Sequence, residues 1–187
     1  WKYSFLFFNL FELAKEKRTS LKAKYQKMKK MLLQEGAYEY IELKKNYFSE
    51  EDKTKIMAAI QDAELKTSGE IRVHIDKTCN EDVLDRATWW FKKLNMHKTA
   101  ERNGVMIYIA MESKKFAIIG DSGINGVVPK DFWEEVKNEM LSFFKKNDFV
   151  NGIAHGVSRV GDYLKQYFPY KKDDVNELPD DISFGAK

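Results

Sequence analysis

The chain has one cysteine, Cys79, and three histidines among its 187 residues. A lone cysteine excludes an internal disulfide framework, and so few cysteines and histidines make a zinc site of that type a poor expectation. No apolar run approaches the ~20 residues of a membrane-spanning helix. The nearest approach, WKYSFLFFNLF at residues 1–11, is broken by Lys2 and Asn9, and no small-residue cleavage site follows it. Nor is there a large excess of one charge, since the formal net charge is +3. That small figure hides an asymmetry. Residues 1–45 hold 11 Lys+Arg against 5 Asp+Glu, a net of +6, whereas residues 46–187 hold 21 against 24, a net of −3. The basic character belongs to the N-terminal segment, and the mildly acidic remainder is not suited to nucleic acid.

What is present suits one globular domain with an appendage. Hydrophobic residues make up 43% of the chain and charged residues 33%, enough for a packed core beneath a charged surface. Residues 1–45 read as a basic helical arm or linker, whose partner would be a membrane surface. The domain spans 46–168. Ser49 and Asp52 form a capping-box start for a helix that runs to Lys66, and EIRVHID at 70–76 alternates as a half-exposed strand. A helix over 82–94 follows. GVMIYIAM at 104–111 is apolar on both faces and predicts a central strand, with KKFAIIG at 114–120 as its hairpin partner. Pro129 is placed to open a helix, a last helix covers 148–168, and 169–187 reads as a disordered polar tail. The order α-β-α-β-β-α-α predicts a three-layer α/β/α sandwich around a small mixed sheet.

Within this frame the string GDSG at 120–123 needs placing. Pairing Met111 with Phe116 across the hairpin sets Asp121 opposite Met106, beside Arg102, Asn103 and Gly104 at the start of the middle strand. The first strand, parallel to the middle one, brings Glu70 to the same sheet end. Glu70, Asn103 and Asp121 thus converge from distant parts of the chain as an oxygen-rich cluster of the kind hard cations prefer. For Asp121 a turn role stands equally, because Asp-Ser-Gly is good turn chemistry. Ser122 as a nucleophile fails on partners: no histidine lies in a recognisable base motif, and a triad needs one with an orienting carboxylate. Cys79 lacks the arginine spacing of a phosphatase nucleophile. Arg72 and His74 share the polar, outward face of the first strand.

FSEEDKTKIMAAIQDAELKTSGEIRVHI, RNGVMIYIAMESKKFAIIGDSGINGVVPKDFW and NDFVNGIAHGV resemble the TPM domain family over residues 46–168. The most specific parts are the Thr-Ser-Gly-Glu-Ile entry to the first strand and the hairpin ending Gly-Asp-x-Gly-Ile-Asn. The resemblance implies a three-layer α/β/α fold and binding of calcium or another divalent cation, such as magnesium, near these loops. Asp121 is the implied metal-side residue, with Glu70 and Asn103 as companions. It also implies two functional classes: an interaction module with a protein partner, serving assembly or turnover of membrane proteins, or a metal-assisted acid phosphatase. The expected setting is a bacterial protein, cytoplasmic or membrane-associated.

Overall fold

The computed structural model describes residues 47–171 and 176–185. The expected basic arm at 1–45 lies outside them. Helix α1 (Glu50–Glu64) starts where Ser49 accepts the Asp52 amide and the Asp52 carboxylate accepts the Ser49 amide, the reciprocal cap the sequence predicts. Strand β1 (Ile71–Asp76), helix α2 (Val83–Lys93), a 3-10 turn (Met96–Lys98), β2 (Val105–Ala110) and β3 (Lys115–Gly120) follow. A short α3 (Ser122–Asn125) precedes the long α4 (Phe132–Phe144) and α5 (Phe149–Tyr167), and β4 (Ile182–Phe184) comes last.

The sheet order is β3-β2-β1-β4, with β1 parallel to both β2 and β4 and antiparallel pairing only between β2 and β3. Alternation divides the strands between two cores. Ile71, Val73, Ile75, Val105, Ile107 and Ile109 pack with α1, α4 and α5. Met106, Tyr108, Ala110 and Ala117 pack on the other face with Ala87, Trp90 and Phe91 of α2. All six residues of β2 are buried, as a strand covered on both faces must be. This is the expected three-layer α/β/α sandwich. Close helix approach depends on Gly161, where an added Cβ would lie 2.6 Å from the Ala63 Cβ of α1.

Four details differ from the sequence reading. The segment predicted as a disordered tail supplies β4: Ile182 is 3% exposed and pairs with Val73, and Leu178 packs against the α2-side core, so that two apolar anchors hold a largely acidic stretch on the β1 edge. The hairpin register is two residues off, with Ala110 opposite Lys115 and Asp121 beyond the Val105–Gly120 pair. Met111 and Lys114 both belong to the turn, closed by a Lys114–Met111 backbone bond with Lys114 at φ 51°, and a two-residue slip leaves every side chain on its expected face. Pro129 does not open α4; its carbonyl accepts the Phe132 amide in the turn before the helix. His74 is fully buried rather than outward, because β4 and the α2 layer cover its face.

Candidate functional site

The register places Glu70, Gly104 and Asp121 in one row across β1, β2 and β3. Val105 N–H donates to Glu70 O at 2.7 Å, and Asp121 N–H donates to Gly104 O at 2.9 Å. Backbone continuity thus assembles the sheet end that the sequence predicts. The three side chains nevertheless take separate partners.

Asp121 is a cap and an ion-pair anchor. Its carboxylate accepts two bonds from the Arg102 guanidinium, at 2.7 and 2.8 Å, and a third from the Ser122 amide at 2.7 Å. Burial alone would raise this carboxyl, but the Arg102 guanidinium and the Ser122 N–H outweigh it and hold it below the usual carboxylate range. The surrounding motif is explained residue by residue. Gly123 runs under the 101–102 backbone, so that an added Cβ would meet the Glu101 and Arg102 carbonyls. Ile124 is a core residue, 1% exposed. Asn125 Nδ2 donates to Gly120 O while its Oδ1 accepts from Trp133 Nε1. Ser122 is exposed.

Asn103 is 1% exposed; its Nδ2 donates to Ser68 O at 2.8 Å and its Oδ1 has no partner among the described residues. Glu70, 6% exposed, turns toward the C-terminal segment, where Oε1 accepts the Glu177 amide at 2.9 Å. It lines a cavity of about 430 Å3 together with Glu64, Thr67, Tyr170, Asn176 and Asp180. The Met96 carbonyl would lie 2.9 Å from a Cβ at Gly104, so the 3-10 turn occupies the middle of the row. Neighbouring strands are ~4.8 Å apart, which puts Glu70 and Asp121 about two strand spacings apart on either side of it. Among the described residues no three His, Cys, Asp or Glu side chains converge as a metal set.

The cavity carries an electrostatic feature that the sequence did not disclose. Burial pushes the Glu64 carboxyl up to about 9, and the Glu70 and Asp180 carboxylates add to the rise. Its Oε1 accepts the Ile71 amide at 2.8 Å, which opposes the shift. Arg72 is the nearby cation; burial lowers its pKa, while Asp181, Glu64 and Glu70 support its charge. With Glu64 protonated, Glu70 and Asp180 remain as carboxylates in the cavity lining, which holds no Lys or Arg among the described residues. Arg72 acts on Asp181 and Glu70 from beside it. Negative charge is in excess there. The missed signals were Glu64, near the end of the first expected helix and not singled out there, and the acidic NELPDD stretch within the segment read as a disordered tail.

At the opposite sheet end Asp76 accepts from Arg86 Nε, Trp90 Nε1 and Tyr108 OH, each at 2.9 Å. Ser183 Oγ lies 2.8 Å from His74 Nδ1, and His74 Nε2 lies 3.5 Å from Asp76 Oδ1. These are the residue types of a nucleophilic triad. However, the imidazole is 0% exposed and Asp76 is committed to three donors, so the group ties β4 to β1.

An α/β/α sandwich of this topology, with its loops gathered at the N-terminal end of β2, defines the class. The chain belongs to the TPM domain family: the family model for the TPM domain, labelled TPM_phosphatase, matches residues 42–163. The chain is 47% identical to the BA42 protein of the psychrophilic bacterium Bizionia argentinensis, whose NMR structure superposes with a TM-score of 0.72, covering 76% of this chain and 98% of that one. The N-terminal domain of the cg2496 protein from Corynebacterium glutamicum, 17% identical, superposes at 0.52 over 64% of this chain and 75% of its own. An N-terminal domain from P. gingivalis, 13% identical, superposes at 0.55 over 66% and 80%. These last two share the fold alone. No curated protein matches the chain.

Proposed function

We propose that the domain is an interaction module that takes a divalent cation, calcium or magnesium, in the cavity beside Glu70. The observation that carries this is the gathering of the Glu64, Glu70 and Asp180 carboxyls around one cavity, where burial, with the Glu70 and Asp180 carboxylates adding to it, pushes Glu64 up to about 9. A hard cation prefers such oxygen donors, and it would let Glu64 ionise. Glu70 and Asp180 would be its first ligands; Glu64, which does not converge with them as a three-carboxylate set in this structure, would turn to the ion on losing its proton. Behind the cavity wall, the Asn103 amide holds the Ser68 carbonyl and leaves Oδ1 unpartnered. Asp121, the residue the motif pointed to first, has its carboxylate satisfied by Arg102 and Ser122, and its role in this reading is to fix the loop. The phosphatase named in the family label has weaker support here. Ser122 stands on an exposed turn, and the buried Ser183–His74–Asp76 group has no open face for a phosphoryl substrate.

Amide NMR of the protein titrated with calcium and then magnesium tests the reading. Saturable shifts are expected at residues 61–70 and 176–181, lost in Glu70→Gln and retained in Asp121→Asn. Loss in Asp121→Asn with retention in Glu70→Gln would move the cation to Asp121, and the absence of any saturable shift up to millimolar metal would remove it altogether.

A further inference from the structure

We infer that the outer edge of β3, with the basic groove beside it, is a docking site for an extended acidic peptide segment of a partner protein, added to the sheet as a fifth strand. Strand β3 is a terminal strand of the sheet and six residues long, whereas the strand at the other edge, β4, has only three residues. Because Asp121 N–H bonds to β2, alternation turns the amides and carbonyls of Lys115, Ala117 and Ile119 toward β2 and those of Phe116, Ile118 and Gly120 outward. The Gly120 carbonyl accepts from Asn125 Nδ2 at 2.7 Å, which caps the edge at that end. Among the described residues nothing bonds to the outward groups of Phe116 and Ile118. An uncovered edge of this kind is a template for strand addition.

The groove supplies the chemistry of the occupant. At the hairpin end a depression of about 310 Å3 is floored by Met111, Phe116, Phe144 and Phe149, with Lys114 and Lys145 on its rim and no acidic residue in its lining. Neither lysine has an ion-pair partner among the described residues. A third lysine, Lys115, is already held by the Cys79 and Glu81 carbonyls, and the nearby Glu112 carboxylate accepts from Tyr47 OH. An arriving strand would present one apolar side chain to the floor and a carboxylate to the two free ammonium groups. Charge complementarity of this kind selects acidic over basic peptides. The site lies at the hairpin end of the sheet, away from the Glu70 cavity, and does not depend on a cation.

The test uses the full chain without added metal and a pool of N-acetylated hexapeptides with alternating apolar residues and a C-terminal aspartate. Saturable amide shifts are expected at residues 114–119 and 141–149, with slowed hydrogen exchange at Phe116 and Ile118. One of two pools N-methylated at alternate residues should lose binding, and the Lys114→Glu, Lys145→Glu double variant should weaken it at least tenfold. The proposal is overturned by no saturable shift up to millimolar peptide, or by equal binding of both N-methylated pools. It is also overturned if dodecanoate shifts the groove residues while the peptides do not, or if the shifts follow protein concentration alone and report a second copy.

Discussion

Replacing Glu64 by glutamine removes a carboxyl that burial keeps protonated at neutral pH while preserving an oxygen for the Ile71 amide. The carboxyl titrates near 4.5 in an unfolded chain and at about 9 in the folded one. Between those values the folded state holds a proton that the unfolded state has lost. The associated stability is therefore complete below about pH 4.5 and declines as the pH rises through about 9. At 1.36 kcal/mol per pKa unit the separation corresponds to roughly 6 kcal/mol as an upper bound. Solvent at the cavity mouth screens the charge and brings the expected loss between pH 5 and 9 to about 2–4 kcal/mol. Urea unfolding of wild type and Glu64→Gln at intervals over that range, with chelator present, reads the difference directly. The two proteins should be nearly equal at pH 5, and the variant should gain on wild type steadily toward pH 9. His74, whose pKa burial holds down, titrates in both and cancels. Parallel curves across the range would refute the reasoning, because Glu64 would then be an ordinary surface carboxylate.

Other consequences concern the two polar networks and the motif. Asp121→Ala should cost about 1–3 kcal/mol through the lost helix cap and the bidentate bond to a half-exposed Arg102, and Ser122→Ala should be neutral within ~0.5 kcal/mol by thermal or urea unfolding. Gly123→Ala should destabilise by more than about 2 kcal/mol, since backbone carbonyls cannot yield as a side chain would; a midpoint equal to wild type would contradict the packing. Asp76→Ala strands three buried or partly buried donors and should cost about 3–5 kcal/mol. In wild type the Asp76 carboxyl, raised by burial but lowered further by His74, Arg86, Trp90 and Tyr108, sits well below its ordinary value. Its stabilisation is present above about pH 4 and is lost on acidification, which acid unfolding of Asp76→Asn against wild type would show as a flatter profile.

The layered fold was legible because the periodicities were unambiguous. Ile71, Val73 and Ile75 alternate, VMIYIA is apolar on both faces, and Ser49 with Asp52 announces a helix start. The motif was half legible. Chain topology alone brings Glu70, Gly104 and Asp121 into one row, but the direction of each side chain depends on contacts that no local pattern encodes. Arg102 lies at φ 53°, and that backbone position is what aims its guanidinium at Asp121. Met96 fills the space over Gly104 from a turn that the sequence did not mark. The C-terminal segment was illegible for a different reason. A three-residue strand with one apolar anchor, Ile182, has too little periodicity to stand out among aspartates, and only the uncovered β1 edge gives it a place. His74 was misplaced by the same omission, since a strand face looks polar and outward until its cover is known.

Glu64 is where stability and cation binding meet, so one measurement bears on the central claim most directly. Calcium titration at pH 7 by calorimetry, in two buffers of different ionisation enthalpy, counts the protons released per ion bound. If the cation enters the cavity and draws Glu64 into its ligand set, wild type should release close to one proton per ion, and Glu64→Gln should release none. Binding with no proton release in wild type, or no binding heat in either buffer, would contradict the account.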